Sequence, residues 1–397
     1  MSNGDDKQVV LLDSFHAQEA SVPGVWLVLL ISFLLSGCQI EFHRSKQPNF
    51  GSYRVVGYVR SHTDINSIAP EKLTHVNFAF AKLDEDGKLY LEKEGADQRL
   101  SQLVALKNRN EDLKILLSIG GWAADHFSDA ALTPAARRQF AEQIVDFVLK
   151  YDLDGVDLDW EYPGQSAGGI KSRPEDKENF TLLLRTVRTY LDGTSENNGR
   201  RYLLTIATSG SRRYFEHTEM EQLHQYLDFI NVMTYDFYTS GSPTTGHHAG
   251  LYQTSYIGET EKNVTSAVAR HLEAGIPAEK IVIGLAFYGR GWTGVDRADS
   301  GLYKSFDRFT QAYTYKQLQT SYIDARGFNR FWDDSAKAPF LWNADSTTFI
   351  SYEDPESLKY KADYVQQQNL GGVMFWEYSQ DANSVLLDTL VKALRQD

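Results

Sequence analysis

The chain has 397 residues, 42% hydrophobic and 13% aromatic, enough apolar material for one large core or two smaller ones. Its formal charge of −13, with no run of Lys and Arg, excludes the electrostatic footprint of a nucleic-acid or anionic-membrane binder, so a neutral or cationic substrate is the easier partner. Cys38 is the single cysteine, which excludes an intrachain disulfide framework and a cysteine-based zinc cluster.

In chain order, the first feature is "VWLVLLISFLL" from Val25 to Leu35, too short to span a bilayer and suited to the apolar core of a secretory signal. "LSGC" follows at once and resembles a bacterial lipobox, in which cleavage precedes the cysteine and that residue carries the lipid. Residues 1–37 then read as a signal peptide and Cys38 as the lipidation site, leaving the mature chain outside the cytoplasm with the lipid as its only membrane contact. The segment before the apolar core is acidic, with Asp5, Asp6, Asp13 and Glu19 against Lys7, where a signal usually starts positive.

A polar linker over 38–52 leads into β-branched and aromatic runs separated by amphipathic stretches. The runs are "YRVVGYV" from Tyr53, "HVNFAFA" from His75, "KILLSIGGW" from Lys114, "GVDLDWE" from Gly155, "YLLTIATS" from Tyr202, "FINVMTYD" from Phe229, "KIVIGLAFYG" from Lys280 and "GGVMFWEYS" from Gly371. In the intervening "TPAARRQFAEQIVDFVLKY", Thr133 is placed to cap a helix and Pro134 to open it. Eight strand-then-helix units predict an α/β fold, the (β/α)8 TIM barrel. "GYVRSHTD" after the first run carries no dinucleotide fingerprint, and no cofactor is expected.

One connection is too long for a βα loop. The residues beyond the seventh run, including "GLYKSFDRFTQAYTYKQLQTSYIDARGFNRFWDDSAKAPFLWN", are too aromatic for a floppy linker. They predict a small α+β insertion domain over 291–349 standing on the active-site rim, with the barrel over 53–290 and 350–397.

The chemistry concentrates in "DGVDLDWEYP", residues 154–163. Residues two apart on a strand point the same way, so Asp157, Asp159 and Glu161 should project together into the barrel, Glu161 nearest the mouth. Three carboxylates this close cannot all stay ionised at neutral pH, and a shared proton supplies a general acid for a poor leaving group. Trp160 and Tyr162 alternate away from that face. His247 and His248 are adjacent, so their side chains diverge; without a third ligand they predict a loop role and no metal.

Asp154-Gly-Val-Asp157-Leu-Asp159-Trp-Glu161 resembles the DxxDxDxE signature on strand four of glycoside hydrolase family 18, the chitinases and their relatives. "SIGGW" (118–122), "MTYD" (233–236), "GLAFYGRGW" and "GGVMFWEYSQD" resemble the family's motifs on strands three, six, seven and eight, and the insertion resembles the extra domain of its deep-cleft subgroup. The resemblance covers Tyr53 to the C-terminus and implies a monomeric chitinase acting on chitin or N-acetylglucosamine oligosaccharides. It implies a substrate-assisted mechanism, in which the sugar's N-acetyl oxygen is the nucleophile and an oxazolinium the intermediate. By the same resemblance Glu161 is the general acid/base, Asp159 swings between Asp157 and the acetamido N–H to hold that group in line, Tyr235 donates to its oxygen and Asp236 hydrogen-bonds the distorted sugar.

Trp376 is expected to floor the −1 subsite, with Tyr58, Phe80, Trp122 and Met233 lining it and Arg290 contacting substrate or insertion. Ser118 and Asp154 are expected to support the carboxylate row. "FYTSGSPTTGHHAGLY" after "MTYD" lacks the tryptophan the family often carries there, a departure on the +1 side. Two alternatives stay open: a chitin lectin, which would replace the glutamate that is present here, and a hydrolase of another 2-acetamido glycan, in peptidoglycan or N-glycans.

Overall fold

The structure, a computed structural model, describes residues 48–258 and 260–396. The signal reading of 1–37 and the lipidation reading of Cys38 lie outside the described residues.

The first seven hydrophobic runs become β1 (Arg54–Arg60), β2 (His75–Leu83), β4 (Lys114–Gly120), β5 (Gly155–Asp159), β6 (Leu203–Ser209), β7 (Phe229–Met233) and β8 (Ile281–Ala286), with β3 (Leu89–Leu91) an antiparallel hairpin partner of β2. The chain then leaves for β9 (Tyr288–Thr293), β10 (Arg308–Thr314), β11 (Asn329–Asp333), β12 (Ala338–Asn343) and β13 (Thr348–Ser351), and returns as β14 (Gly372–Trp376). Parallel pairing runs from β1 through β2, β4, β5, β6, β7, β8 and β14 back to β1, a closed (β/α)8 barrel. The excursion forms a separate 5-stranded antiparallel sheet, the inserted domain. The seventh run therefore holds two strands in different sheets, broken at Phe287.

Period-two alternation divides the apolar residues into two cores. Val55, Ile115, Leu117, Val156, Leu158 and Ile206 face outward against helix residues such as Phe140, Ile144, Phe180 and Leu184. Val56, Tyr58, Ala79, Phe229, Val282 and Met374 form a second cluster inside the barrel. Strands buried on both faces explain why the runs read as near-continuous hydrophobic stretches. Thr133 accepts from the Ala136 amide and Pro134 opens the helix Pro134–Tyr151, the predicted start. Trp160 lies in the outer core, stacked on Phe127 and edge-on to Phe180, away from the carboxylates. Its burial contributes roughly 2–3 kcal/mol.

Candidate active site

The polar cluster runs from the middle of the barrel strands to their C-terminal ends. The register sets Ser118, Asp157 and Thr205 side by side on β4, β5 and β6. Asp157 is completely buried and accepts four hydrogen bonds: from Tyr58 (2.8 Å) and Ser118 (2.8 Å) on Oδ2, and from Thr205 (2.6 Å) and the Asn231 amide (3.1 Å) on Oδ1. Burial pushes its carboxyl up and these donors pull it back. Asp159, two residues on, is equally enclosed, but its Oδ1 has no partner, and burial with the charges of Glu161 and Asp157 drives it well above the carboxylate range. Glu161 is pushed up to about 7, by burial first and the Asp236 charge second, while the Tyr162 hydroxyl works the other way. The row thus holds a donor-saturated carboxylate, a neighbour whose carboxyl is driven up and left with an open oxygen, and a glutamate poised to give or take a proton near neutrality.

Two glycines let this row form. A Cβ on Gly120, at φ 122°, would stand 2.1 Å from the Asp159 carbonyl oxygen, and one on Gly121 2.6 Å from the Phe80 ring. The Gly121 amide donates to that same Asp159 carbonyl at 2.9 Å.

Opposite the row, Asp236 sits in the left-handed region at φ 58° and is clamped by Arg290 through Nε (2.8 Å) and Nη2 (2.5 Å) and by the Tyr288 hydroxyl (2.8 Å). His248 Nδ1 lies 3.6 Å away. Burial opposes ionisation here, yet these partners hold Asp236 well below the usual carboxylate range. Tyr288 and Arg290 lie on β9, so the inserted sheet supplies part of the site. Tyr235 is kept a neutral phenol by burial, with its hydroxyl 3.9 Å from Met374 Sδ. Trp376 stacks on Phe80 (5.6 Å, 18°) and lies 5.8 Å from Tyr58. Met233 packs beside them in the interior cluster.

The structure therefore gathers Tyr58, Phe80, Ser118, Asp157, Asp159, Glu161, Met233, Tyr235, Asp236, Arg290 and Trp376. Two expected members stand apart. Asp154 does not support the row: it precedes β5, roughly 16 Å of strand below Asp159, where it accepts from the Ile115 amide (2.7 Å) and pairs with Lys107 (2.6 Å). Trp122 is not buried with the others: after Gly120 and Gly121, both at positive φ, it is 61% exposed.

Sequence reasoning missed Thr205, Asn231, Tyr288 and His248. The first two carried a signal, a polar residue between apolar neighbours at an interior-facing position of a strand-like run. The adjacent histidines do diverge. His247 Nε2 pairs with Asp333 (3.1 Å), and the His248 amide donates to Ser351 Oγ (2.9 Å), so both tie their loop to the inserted sheet. Behind them a fully buried Lys361 pairs with Glu353, whose Oε2 accepts from the Ala286 amide at the end of β8 (2.6 Å). Among the described residues no group of three or more His, Cys, Asp or Glu is placed to hold a metal ion.

Comparison with known proteins places this geometry in context. The family profile described as "Glycosyl hydrolases family 18" matches residues 54–381. Chitinase A1 of Niallia circulans is 36% identical over an alignment covering 92% of this chain, and the chain spans 61% of that protein's length. Chitinase B of Serratia marcescens is 33% identical, with 80% of this chain and 75% of the relative covered. Among solved structures, a glycoside hydrolase family 18 N-acetylglucosaminidase from Paenibacillus barengoltzii superposes with a TM-score of 0.80 at 46% identity, covering 86% of this chain and 99% of that one.

Proposed function

The chain belongs to family 18 of the glycosyl hydrolases, and from that premise we propose that it is a chitinase cutting β-1,4-linked N-acetylglucosamine chains by a retaining, substrate-assisted mechanism. The observation that carries the reading is the asymmetry of the carboxylate row, in which Asp157 takes four hydrogen bonds, Asp159 Oδ1 is left open with its carboxyl driven up, and Glu161 is pushed up to about 7, beside Tyr235 and Asp236. The −1 sugar lies on Trp376. Its acetamido carbonyl oxygen attacks the anomeric carbon as Glu161 gives its proton to the glycosidic oxygen, so that bond breaks and an oxazolinium forms. Asp159 accepts from the acetamido N–H and keeps the carbonyl in line, while the neutral Tyr235 phenol donates to the carbonyl oxygen. Asp236, fixed by Arg290 and Tyr288, holds the distorted ring. Water then attacks the anomeric carbon, Glu161 takes its proton, and the acetamido group is restored with net retention.

The inserted sheet, through Tyr288 and Arg290, walls one side of a deep cleft in this reading, and the enzyme works as a monomer. The apolar run and Cys38 put it outside the cytoplasm, lipid-anchored or secreted. A second reading is exo-acting release of single N-acetylglucosamine units, favoured by the likeness to the Paenibacillus N-acetylglucosaminidase. Product lengths from N-acetylchitooligosaccharides and from a peptidoglycan fragment, with the first-formed anomer read by NMR, test both. Dimers and longer products with β-retention support the chitinase, monomers alone the exo reading. Cleavage of peptidoglycan alone overturns both.

A further inference from the structure

Asp157 and Asp159 are both buried and lie two residues apart on one strand, so burial and mutual repulsion oppose ionising both. What distinguishes them is their donors. Both oxygens of Asp157 are filled, four hydrogen bonds in all, about the capacity of an ionised carboxylate. Asp159 Oδ1 has none. Thr205 and Asn231 converge on Oδ1 of Asp157 from the two strands beyond it, and both are completely buried. They occupy interior-facing positions where neighbouring strands place Val56, Val282 and Met374, and a polar side chain there costs desolvation unless it is paired. The Asn231 carbonyl and the whole Asn77 amide lack partners, so the interior is not generally hydrogen-bonded, and the donors concentrate on this one carboxylate.

Resting on the substrate-assisted reading, we propose that Thr205 and Asn231 are positioning residues of the reaction: by donating to Oδ1 they hold Asp157 as the anion of the row and leave its proton on Asp159, on the side of Glu161. The titratable groups facing Asp157 are Tyr58 from β1, Asp159 from its own strand and Tyr235 beyond β7, with Glu161 behind Asp159. Burial keeps both phenols neutral, so Asp159 and Glu161 are the neighbours that titrate with it in the acid range. Without the Oδ1 donors the pair holds its second proton to higher pH, and Asp159 shares its own proton with Asp157.

Thr205→Val removes one donor without changing side-chain size. The acid limb of kcat/KM should move up by about one to two pH units, the effect of one hydrogen bond to a charged acceptor. Asn231→Leu should move it the same way, and Thr205→Ser should return it to the wild-type position. A readout independent of turnover is the 13C-carboxyl NMR titration of the full chain labelled at Asp Cγ, with Asp157 assigned through Asp157→Asn; its midpoint should rise in Thr205→Val. Activity that falls evenly across pH while limb and midpoint stay put would overturn the proposal. Should Thr205→Val fail to fold, the Asn231→Leu midpoint decides. An inactive wild type whose Asp157 midpoint still moves would overturn the hydrolase reading and leave the donor assignment standing.

Discussion

Replacing Glu161 by Gln should stabilise the protein in alkaline solution and leave its stability in acid unchanged. Burial raises the Glu161 carboxyl from 4.5 to about 7. The folded state thus binds this proton more tightly than the unfolded chain, and the contribution is fully present below about pH 4.5 and lost as pH rises through about 7. The gap of about 2.5 units corresponds to about 3 kcal/mol. Gln carries no proton to lose, so above about pH 8 the variant should be more stable by about that amount, and at about pH 4 the two should match. With an unfolding entropy of about 2 cal/mol/K per residue over the folded chain, 3 kcal/mol corresponds to about 4 °C in melting temperature. Scanning calorimetry of both proteins from about pH 4 to about pH 9 reads the difference directly. A gap that is the same at both ends, or a variant that melts lower in alkali, would refute the reasoning, because it would mean that Glu161 is not held neutral by its surroundings.

Lys361→Met should cost about 3–5 kcal/mol in denaturant unfolding, since it strands the buried Glu353 charge. Adding Glu353→Gln, which can still accept from the Ala286 amide, should recover most of that loss, and an additive double variant would argue against coupling. Asp154→Ala should lower stability by about 1–3 kcal/mol through the lost Ile115 amide acceptor and Lys107 partner. Its kcat/KM should match wild type, and a kinetic defect in a stably folded variant would return Asp154 to the site. Trp122→Ala should change stability by no more than about 0.5 kcal/mol, because the ring is exposed. If the exposed ring packs on a distal sugar, the substitution should raise KM for long oligomers while sparing short ones, and equal losses on both would count against that contact.

Strand parity made much of this legible. Asp157 and Asp159 share a face of β5 with Glu161 following at the mouth, and Trp160 turns into the outer core, as alternation requires. Parity fails where the chain leaves the strand: after Gly120 and Gly121 nothing in the sequence says which way Trp122 points. Asp154 was misplaced for a related reason, since a signature groups residues by spacing, whereas a strand separates its first residue from its last by its whole length. Thr205 and Asn231 stood in the quoted runs as polar residues among apolar neighbours, but their convergence on Asp157 depends on the register between neighbouring strands, which no single run contains. Tyr288 was hidden by the continuity of the seventh run, whose break at Phe287 sends it, with the expected Arg290, into the second sheet and onto Asp236. His248 meets Asp236 across a long loop, and its place required the inserted sheet to be built first.

The most direct test of the central claim compares hydrolysis of N-acetylchitotetraose by the wild-type chain and Glu161→Gln, with tetramer binding by the variant measured calorimetrically. If Glu161 is the acid/base, the wild type releases shorter sugars while the variant binds the tetramer and loses about 10²–10⁴-fold in kcat. A variant that cleaves as fast as wild type, or a wild type that binds the tetramer and leaves it intact, would contradict it.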